Sequence, residues 1–101
     1  MANNNYVVLI NWTAQGAAEA SNTLKRAASA ANTLKSLGGR MKTTLWTIGP
    51  YDAVSIIEAP DDETVTAFAL AMCEQGSART TTMRAFDRNE MTAIFKRLEK
   101  A

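Results

Sequence analysis

Apolar and polar residues along the chain follow two periods, one typical of strands and one typical of helices. Residues 6–13 are a β-branched and aromatic run, which predicts a first strand. Small and apolar residues then recur at the helical spacing, at Leu24, Ala27, Ala28, Ala31 and Leu34. With Gly38-Gly39 as a stop signal, they predict a first helix over about 22–37. Residues 14–21 fit either a loop or a short turn of helix.

Two strands of a hairpin and a second helix are predicted next. Residues 40–48 alternate along a second strand, residues 49–52 read Gly-Pro-Tyr-Asp and signal a turn, and residues 53–59 form a third, more apolar strand. After Pro60, the acidic residues at 61–63 suit the positive end of a helix better than a metal cluster, and Gly76 ends that helix.

The last part of the chain predicts a fourth strand and a C-terminal helix. Residues 78–86 form the strand, whose polar middle suits the edge of a sheet. Asp87 and Glu90 have the spacing of a capping box and begin the helix. One apolar face of that helix carries Met91, Ile94, Phe95 and Leu98.

This βαββαβ order followed by a helix predicts a single α+β domain over residues 1–101, of the ferredoxin-like class. Its four-stranded antiparallel sheet is expected in the order 4-1-3-2, with two helices on one face. The middle strands are apolar on both faces, because Val7 and Leu9 alternate with Tyr6 and Val8. A second copy of the chain is the simplest cover for the face without helices, so a homodimer or a larger assembly built from it is expected.

Composition and charge exclude several classes of protein. A formal net charge of +1 gives no basic stripe for nucleic acid or an anionic membrane. The longest apolar run is far shorter than the roughly 20 residues of a membrane span. The N-terminal residues carry no basic segment of a signal peptide, so a cytoplasmic location is expected.

Two further features of the composition restrict the chemistry. The chain has no histidine, which excludes His-dependent triads and zinc motifs, and no metal or other cofactor is expected. It has one cysteine, Cys73, so no disulfide can form within the chain. With no histidine to activate it, Cys73 is interpreted as a small buried hydrophobic residue.

One edge of the predicted sheet gathers the residues that suit a ligand site. The ends of strands one and two meet there with the starts of strands three and four. The candidate residues are Asn11, Trp12, Trp46, Gly49, Tyr51, Asp52 and Arg79. Each has a structural alternative, since the indoles suit a core or an interface, and Asp52 suits a turn cap or a pair with Arg79. Asn11 suits either a dimer interface or a polar pocket.

The sequence resembles the GYD domain family over most of its length, from Tyr6 to about Met91. The resemblance is carried by Trp-Thr-x-Gly-Pro-Tyr-Asp at 46–52 and by Glu-Ala-Pro-Asp-Asp-Glu at 58–63. Ala-Arg-Thr at 78–80 and Arg-Ala-Phe at 84–86 add to it. This resemblance implies a dimeric α/β barrel, in which ferredoxin-like units pack sheet against sheet, but it implies no particular activity.

Proteins of that wider fold suggest three functions. The first is a small-molecule-binding or regulatory module, similar to the effector domains of Lrp/AsnC-like regulators, with residues 49–52 holding an amine. The second is an enzyme resembling the cofactor-free antibiotic-biosynthesis monooxygenases, with Asn11, Trp46, Tyr51 and Arg79 around the substrate. The third is an assembly protein without a ligand. Homo-oligomerisation is expected for all three.

Overall fold

The computed structural model describes residues 3–101 and has the predicted order of elements. The strands are β1 (Asn4–Trp12), β2 (Arg40–Trp46), β3 (Ala53–Ala59) and β4 (Ala78–Ala85), and the helices are α1 (Ala14–Ala18), α2 (Thr23–Ser36), α3 (Asp62–Glu74) and α4 (Arg88–Leu98). The antiparallel sheet has the order β2-β3-β1-β4, which confirms the predicted 4-1-3-2 arrangement and the α+β, ferredoxin-like class. The ambiguous residues after β1 form α1 and a short 3-10 turn at Ala20–Asn22.

Side chains close in sequence cap the starts of three helices. Thr13, Asp61 and Asp87 each accept a backbone N–H from the first turn of α1, α3 and α4 respectively. Asp87 and Glu90 form the complete capping box that their spacing predicts. The starts of α3 and α4 are therefore determined by residues close in sequence, which explains why the pattern locates these two well.

The hydrophobic core lies between one face of the sheet and the helices α2 and α3. Tyr6 and Val8 of β1 and Ile57 of β3 meet Leu34 of α2 and Phe68 of α3, and all five are buried. Small residues bring α2 close to the sheet, since Ala30 is also buried in this layer. The core thus occupies the helix-covered face only.

The opposite face of the sheet carries apolar side chains without a helix over them, and it is called the open face here. Val7 of β1 pairs in register with Ile56 of β3, and Leu9 pairs with Val54, and these four side chains are half-buried. At the sides of this face, Leu45 of β2 and Met83 of β4 are exposed. Both faces of the middle strands are therefore apolar, as predicted, and residues 3–101 cover only one of them with helices.

Two details of the sequence interpretation are corrected by the structure. The alternation along β2 is interrupted by a register shift between Met41 and Thr43, so Met41 packs against the core and Lys42 is exposed. Cys73 is exposed rather than buried, with its Sγ 3.9 Å from Oγ1 of Thr80. Thr80 lies on the edge strand β4, and within the described part of the chain no further strand covers the cysteine.

The C-terminal helix α4 extends away from the rest of the molecule. Among the described residues 3–101, it packs along none of the other helices and strands, and it contains no buried residue. In the same part of the chain, no helix is long and apolar enough to cross a membrane. The two covering helices of the sheet are therefore α2 and α3, and the open face remains uncovered within the chain.

Candidate functional site

The loop between β2 and β3 is fastened to the end of β1 by the residue Asp52. Its carboxylate oxygen Oδ2 accepts the backbone N–H of Trp12 at 2.8 Å. The Asp52 amide donates to the carbonyl of Ile10 at 2.8 Å, and the Thr47 amide donates to the carbonyl of Asp52 at 2.9 Å. A carboxylate at this position thus continues the hydrogen bonding of β1 beyond its last pair with β3.

Other residues of the candidate set hold the same loop. The side-chain amide of Asn11 donates to the carbonyl of Pro50 at 2.7 Å. The hydroxyl of Thr47 donates to the carbonyl of Tyr51 at 2.6 Å. Gly49 has a φ of +126°, a left-handed conformation that favours glycine. The carbonyls of Pro50 and Tyr51 are therefore engaged within the loop and with β1.

The two tryptophans lie on the other side of this loop, facing the helices. Nε1 of Trp46 donates to the hydroxyl of Thr23 at the start of α2, at 2.8 Å. The guanidinium of Arg26 lies 5.9 Å from the ring centre of Trp12 and donates to the carbonyls of Glu19 and Gly16. Both indoles therefore connect the sheet to the residues that precede and begin α2.

A narrow cavity of about 50 Å³ lies between the sheet and α2, beside these indoles. Trp12, Trp46 and Met72 contribute apolar surface, and Arg26 contributes a charged group. The hydroxyls of Thr44 and Ser55 hydrogen-bond to each other at 2.8 Å in its wall. This volume accommodates a few water molecules or a very small ligand, and it is well below the several hundred Å³ of typical drug-sized sites.

The structure thus divides the candidate residues between the two faces of the sheet. Trp12 and Trp46 line the cavity on the helix-covered face. Asn11 pairs in register with the exposed Arg79, and both follow the alternation of the open face. Tyr51 and Asp52 lie in the loop between the faces and are half-buried. Among the described residues, no ion pair joins Asp52 to Arg79, so the aspartate acts as an anchor for the loop.

Several cavity residues are not among the predicted candidates. Arg26, Thr23, Thr44 and Ser55 come from α2 and from the middle of β2 and β3. The sequence gives no signal for Arg26, because the adjacent Lys25 is also basic and is exposed to solvent. Thr44 and Ser55 give no signal either, since small hydroxyl residues are ordinary in strands.

The side chains whose pKa values are shifted lie outside this site. Burial, together with the 2.5 Å hydrogen bond from its hydroxyl to Asp62, raises the pKa of Tyr6. The Arg84 side chain and the Asp87 amide hold the pKa of Glu90 below its ordinary value. Within residues 3–101, no group of three or more acidic or cysteine side chains is placed to hold a metal ion.

Fold and loop together define a ferredoxin-like α+β domain with an anchored Gly-x-Tyr-Asp turn. The GYD domain family matches residues 6–95, so this chain belongs to that family. The chain is also 29% identical over 92 residues to the glutamine synthetase and cystathionine beta-lyase binding protein of Thermus thermophilus, a match that covers 90% of this chain and 97% of the relative. No solved structure gives a significant match.

Proposed function

We propose that this chain is a homo-oligomeric, cytoplasmic regulatory module that binds an enzyme, and that it forms a dimer through the open faces of two sheets. The observation that carries the proposal is the apolar open face, with Val7, Leu9, Val54 and Ile56 at its centre. A soluble chain rarely leaves so continuous an apolar surface in contact with water unless another protein surface covers it.

The state of the candidate ligand site supports protein binding over small-molecule binding. The Asp52 carboxylate and the Asn11 amide, which would hold a polar ligand, already bind the Trp12 amide and the Pro50 carbonyl. The cavity between the indoles is about 50 Å³. A metabolite-sized ligand would therefore have to break existing hydrogen bonds or widen the cavity.

The name of the Thermus relative supplies the class of partner. That protein is named for binding glutamine synthetase and cystathionine beta-lyase. The match extends over nearly the whole of both chains, at 29% identity, so the comparison concerns the complete domain of the relative. We infer by this similarity that the partner of the present chain is also an enzyme.

The second candidate function is binding of a very small ligand between Trp12 and Trp46. The observation in its favour is that both indoles and the Arg26 guanidinium border one cavity. The monooxygenase-like alternative has less support, because it requires Asn11 and Arg79 beside Trp46, and these lie on opposite faces of the sheet.

Binding to a purified enzyme tests the proposal. Glutamine synthetase and cystathionine beta-lyase from the organism that encodes this chain are each titrated with it by biolayer interferometry. The activity of each enzyme is followed in parallel. We expect at least one enzyme to bind with a dissociation constant of about 1 μM or tighter, which corresponds to about 8 kcal/mol. An unrelated enzyme of similar size and net charge serves as the specificity control and should not bind.

If neither enzyme binds while the chain itself is folded and paired, the enzyme partnership is wrong. Co-purification of a small molecule, detected by native mass spectrometry of freshly isolated protein, would instead favour the cavity between the indoles as the functional site.

A further inference from the structure

Helix α4 is an amphipathic arm that packs along no other helix or strand of residues 3–101. The radius of gyration is 15.1 Å, against about 13 Å for a compact chain of this length, and the molecule is 52 Å long but 30 and 19 Å across. Phe95 and Leu98 are 56% and 63% exposed. They share one helical face with Met91 and Ile94, at spacings of three and four residues.

A helix of this length needs a surface to pack on. The 11 residues of α4 extend about 16 Å, and isolated helices below about 12–15 residues are only marginally stable in water. The capping box and the C-terminal Lys96 and Arg97 favour the helix, but each contributes only locally. The exposed apolar face therefore indicates that something outside the chain packs against α4.

Hydrogen bonds hold the N-terminal end of α4 in one orientation, which distinguishes the helix from a flexible C-terminal segment. Arg84 at the end of β4 donates to Glu90 at 2.6 Å and to the side-chain oxygen of Asn4 at 3.0 Å. The same guanidinium donates to the carbonyls of Asn5 and Ala85 and lies 4.5 Å from the ring centre of Phe86. Strand β4, strand β1 and the first turn of α4 are thereby held together at one corner.

That corner adjoins the open face. Ala85, the last residue of β4, pairs in register with Asn5, and both follow the alternation that places Val7 and Leu9 on the open face. Helix α4 therefore begins at the border of the open face. Two apolar surfaces that lie near one corner of a chain can cover each other in a symmetric pair of copies.

We propose that α4 packs on a second copy of this chain, so that the two copies exchange their C-terminal helices across the dimer. The apolar face of each α4 then covers the border of the partner's open face, and Phe95 and Leu98 become buried only in the assembled pair. This proposal rests on the dimer of the proposed function but makes a separate statement about which chain α4 contacts.

Photocrosslinking between labelled copies tests the exchange. A benzophenone amino acid replaces Phe95 in the full chain, and isotopically heavy and light copies are mixed, unfolded, refolded and irradiated. Peptides crosslinked from position 95 are then sequenced by mass spectrometry. We expect heavy-to-light crosslinks in about half of the joined peptides, the random proportion, and attachment points on strands of the open face. The matched control replaces the neighbouring Lys96, which lies outside the apolar face, and should give few crosslinks.

Light scattering on the same samples separates the two proposals. A folded species at 10.9 kDa would overturn both the dimer and the exchange. A dimer whose crosslinks from position 95 join only light to light and heavy to heavy would overturn the exchange and leave the dimer standing. Crosslinks that form between copies only as often from position 95 as from position 96 would also overturn it, as would crosslinks that require an added enzyme.

Discussion

A single carboxylate decides the geometry of the β2–β3 loop. Asp52 lies where β1 has run past its last partner on β3, and its Oδ2 accepts the N–H of Trp12 that would otherwise lack a backbone partner. A side chain with an acceptor at this reach satisfies a half-buried donor. The turn motif is thus explained by folding, independently of any ligand.

Replacing Asp52 should therefore lower stability before it affects binding. Asp52→Ala leaves the Trp12 N–H unpaired and should reduce the free energy of unfolding by about 1–3 kcal/mol. Asp52→Asn retains an acceptor oxygen at nearly the same position and should lose less. Urea denaturation followed by tryptophan fluorescence measures both variants against the unmodified chain.

An Asp52→Ala variant with unchanged stability and lost enzyme binding would show that the carboxylate contacts the partner instead.

The same residues show what the sequence predicts of the site and what it does not. Proximity of Trp12, Trp46 and Asp52 follows from topology, since strand ends meet at one edge. Their division between two faces depends on the direction of each side chain, and the Thr23 and Arg26 contacts come from a helix distant in sequence.

At the scale of the elements, predictability follows the range of the interactions that define each one. The starts of α3 and α4 are predicted well because Asp61 and Asp87 cap them from within the same turn. The shift near Met41 is not predicted, because alternation alone cannot place an extra residue in one strand of a pair. The exit of α4 is likewise set by Arg84, whose partners Asn4 and Asn5 come from the other end of the chain.

The arm α4 should be sensitive to acid at its first turn. Glu90 accepts from Arg84 and from the Asp87 amide, and these contacts hold its pKa below the ordinary value of about 4.3. A lowered folded-state pKa means that the stabilisation is present above the ordinary pKa and is lost as pH falls through the folded value. We therefore expect the protection of the α4 amides, relative to their intrinsic exchange rates, to fall below about pH 4. The core strand β1 should stay protected over the same range.

Hydrogen exchange of the α4 amides, read by mass spectrometry across the acid range, measures this loss. Glu90→Gln, which does not titrate, should make the protection of the α4 amides depend less on pH in that window, once the intrinsic exchange rate is divided out. Glu99→Gln changes a carboxyl at the other end of the same helix and should retain the acid response. An unchanged response in Glu90→Gln would assign it to another group.

At the scale of the whole molecule, the chain contains more apolar surface than its own helices cover. Helices α2 and α3 bury one face of the sheet, and α4 stays away from the other. The apolar alternation of β1 and β3 on both faces is visible in the sequence, which is why an apolar face without helices over it is predictable from it. The arrangement of α4 is not predictable in this way, because an amphipathic helix has the same pattern whichever surface it packs on.

A charge at the centre of the open face should separate the copies without unfolding them. Leu9 lies between Val54 and Thr81 in register, so Leu9→Glu places a carboxylate in the middle of the proposed sheet-to-sheet contact. We expect its dimer dissociation constant to rise by about a hundredfold or more, equivalent to about 3 kcal/mol. Light scattering over a dilution series measures this, and far-ultraviolet circular dichroism monitors the fold.

Two further variants make the result specific to the open face. Met83→Glu changes a side chain on the same face that is already 45% exposed, so it should weaken pairing with little effect on the fold of one copy. Leu70→Glu places the same charge on an exposed leucine of α3, on the helix-covered side, and should leave the dimer intact. If all three variants had the same dimer dissociation constant, the copies would associate through another surface. A buried, unpaired carboxylate within the contact between open faces must weaken the dimer.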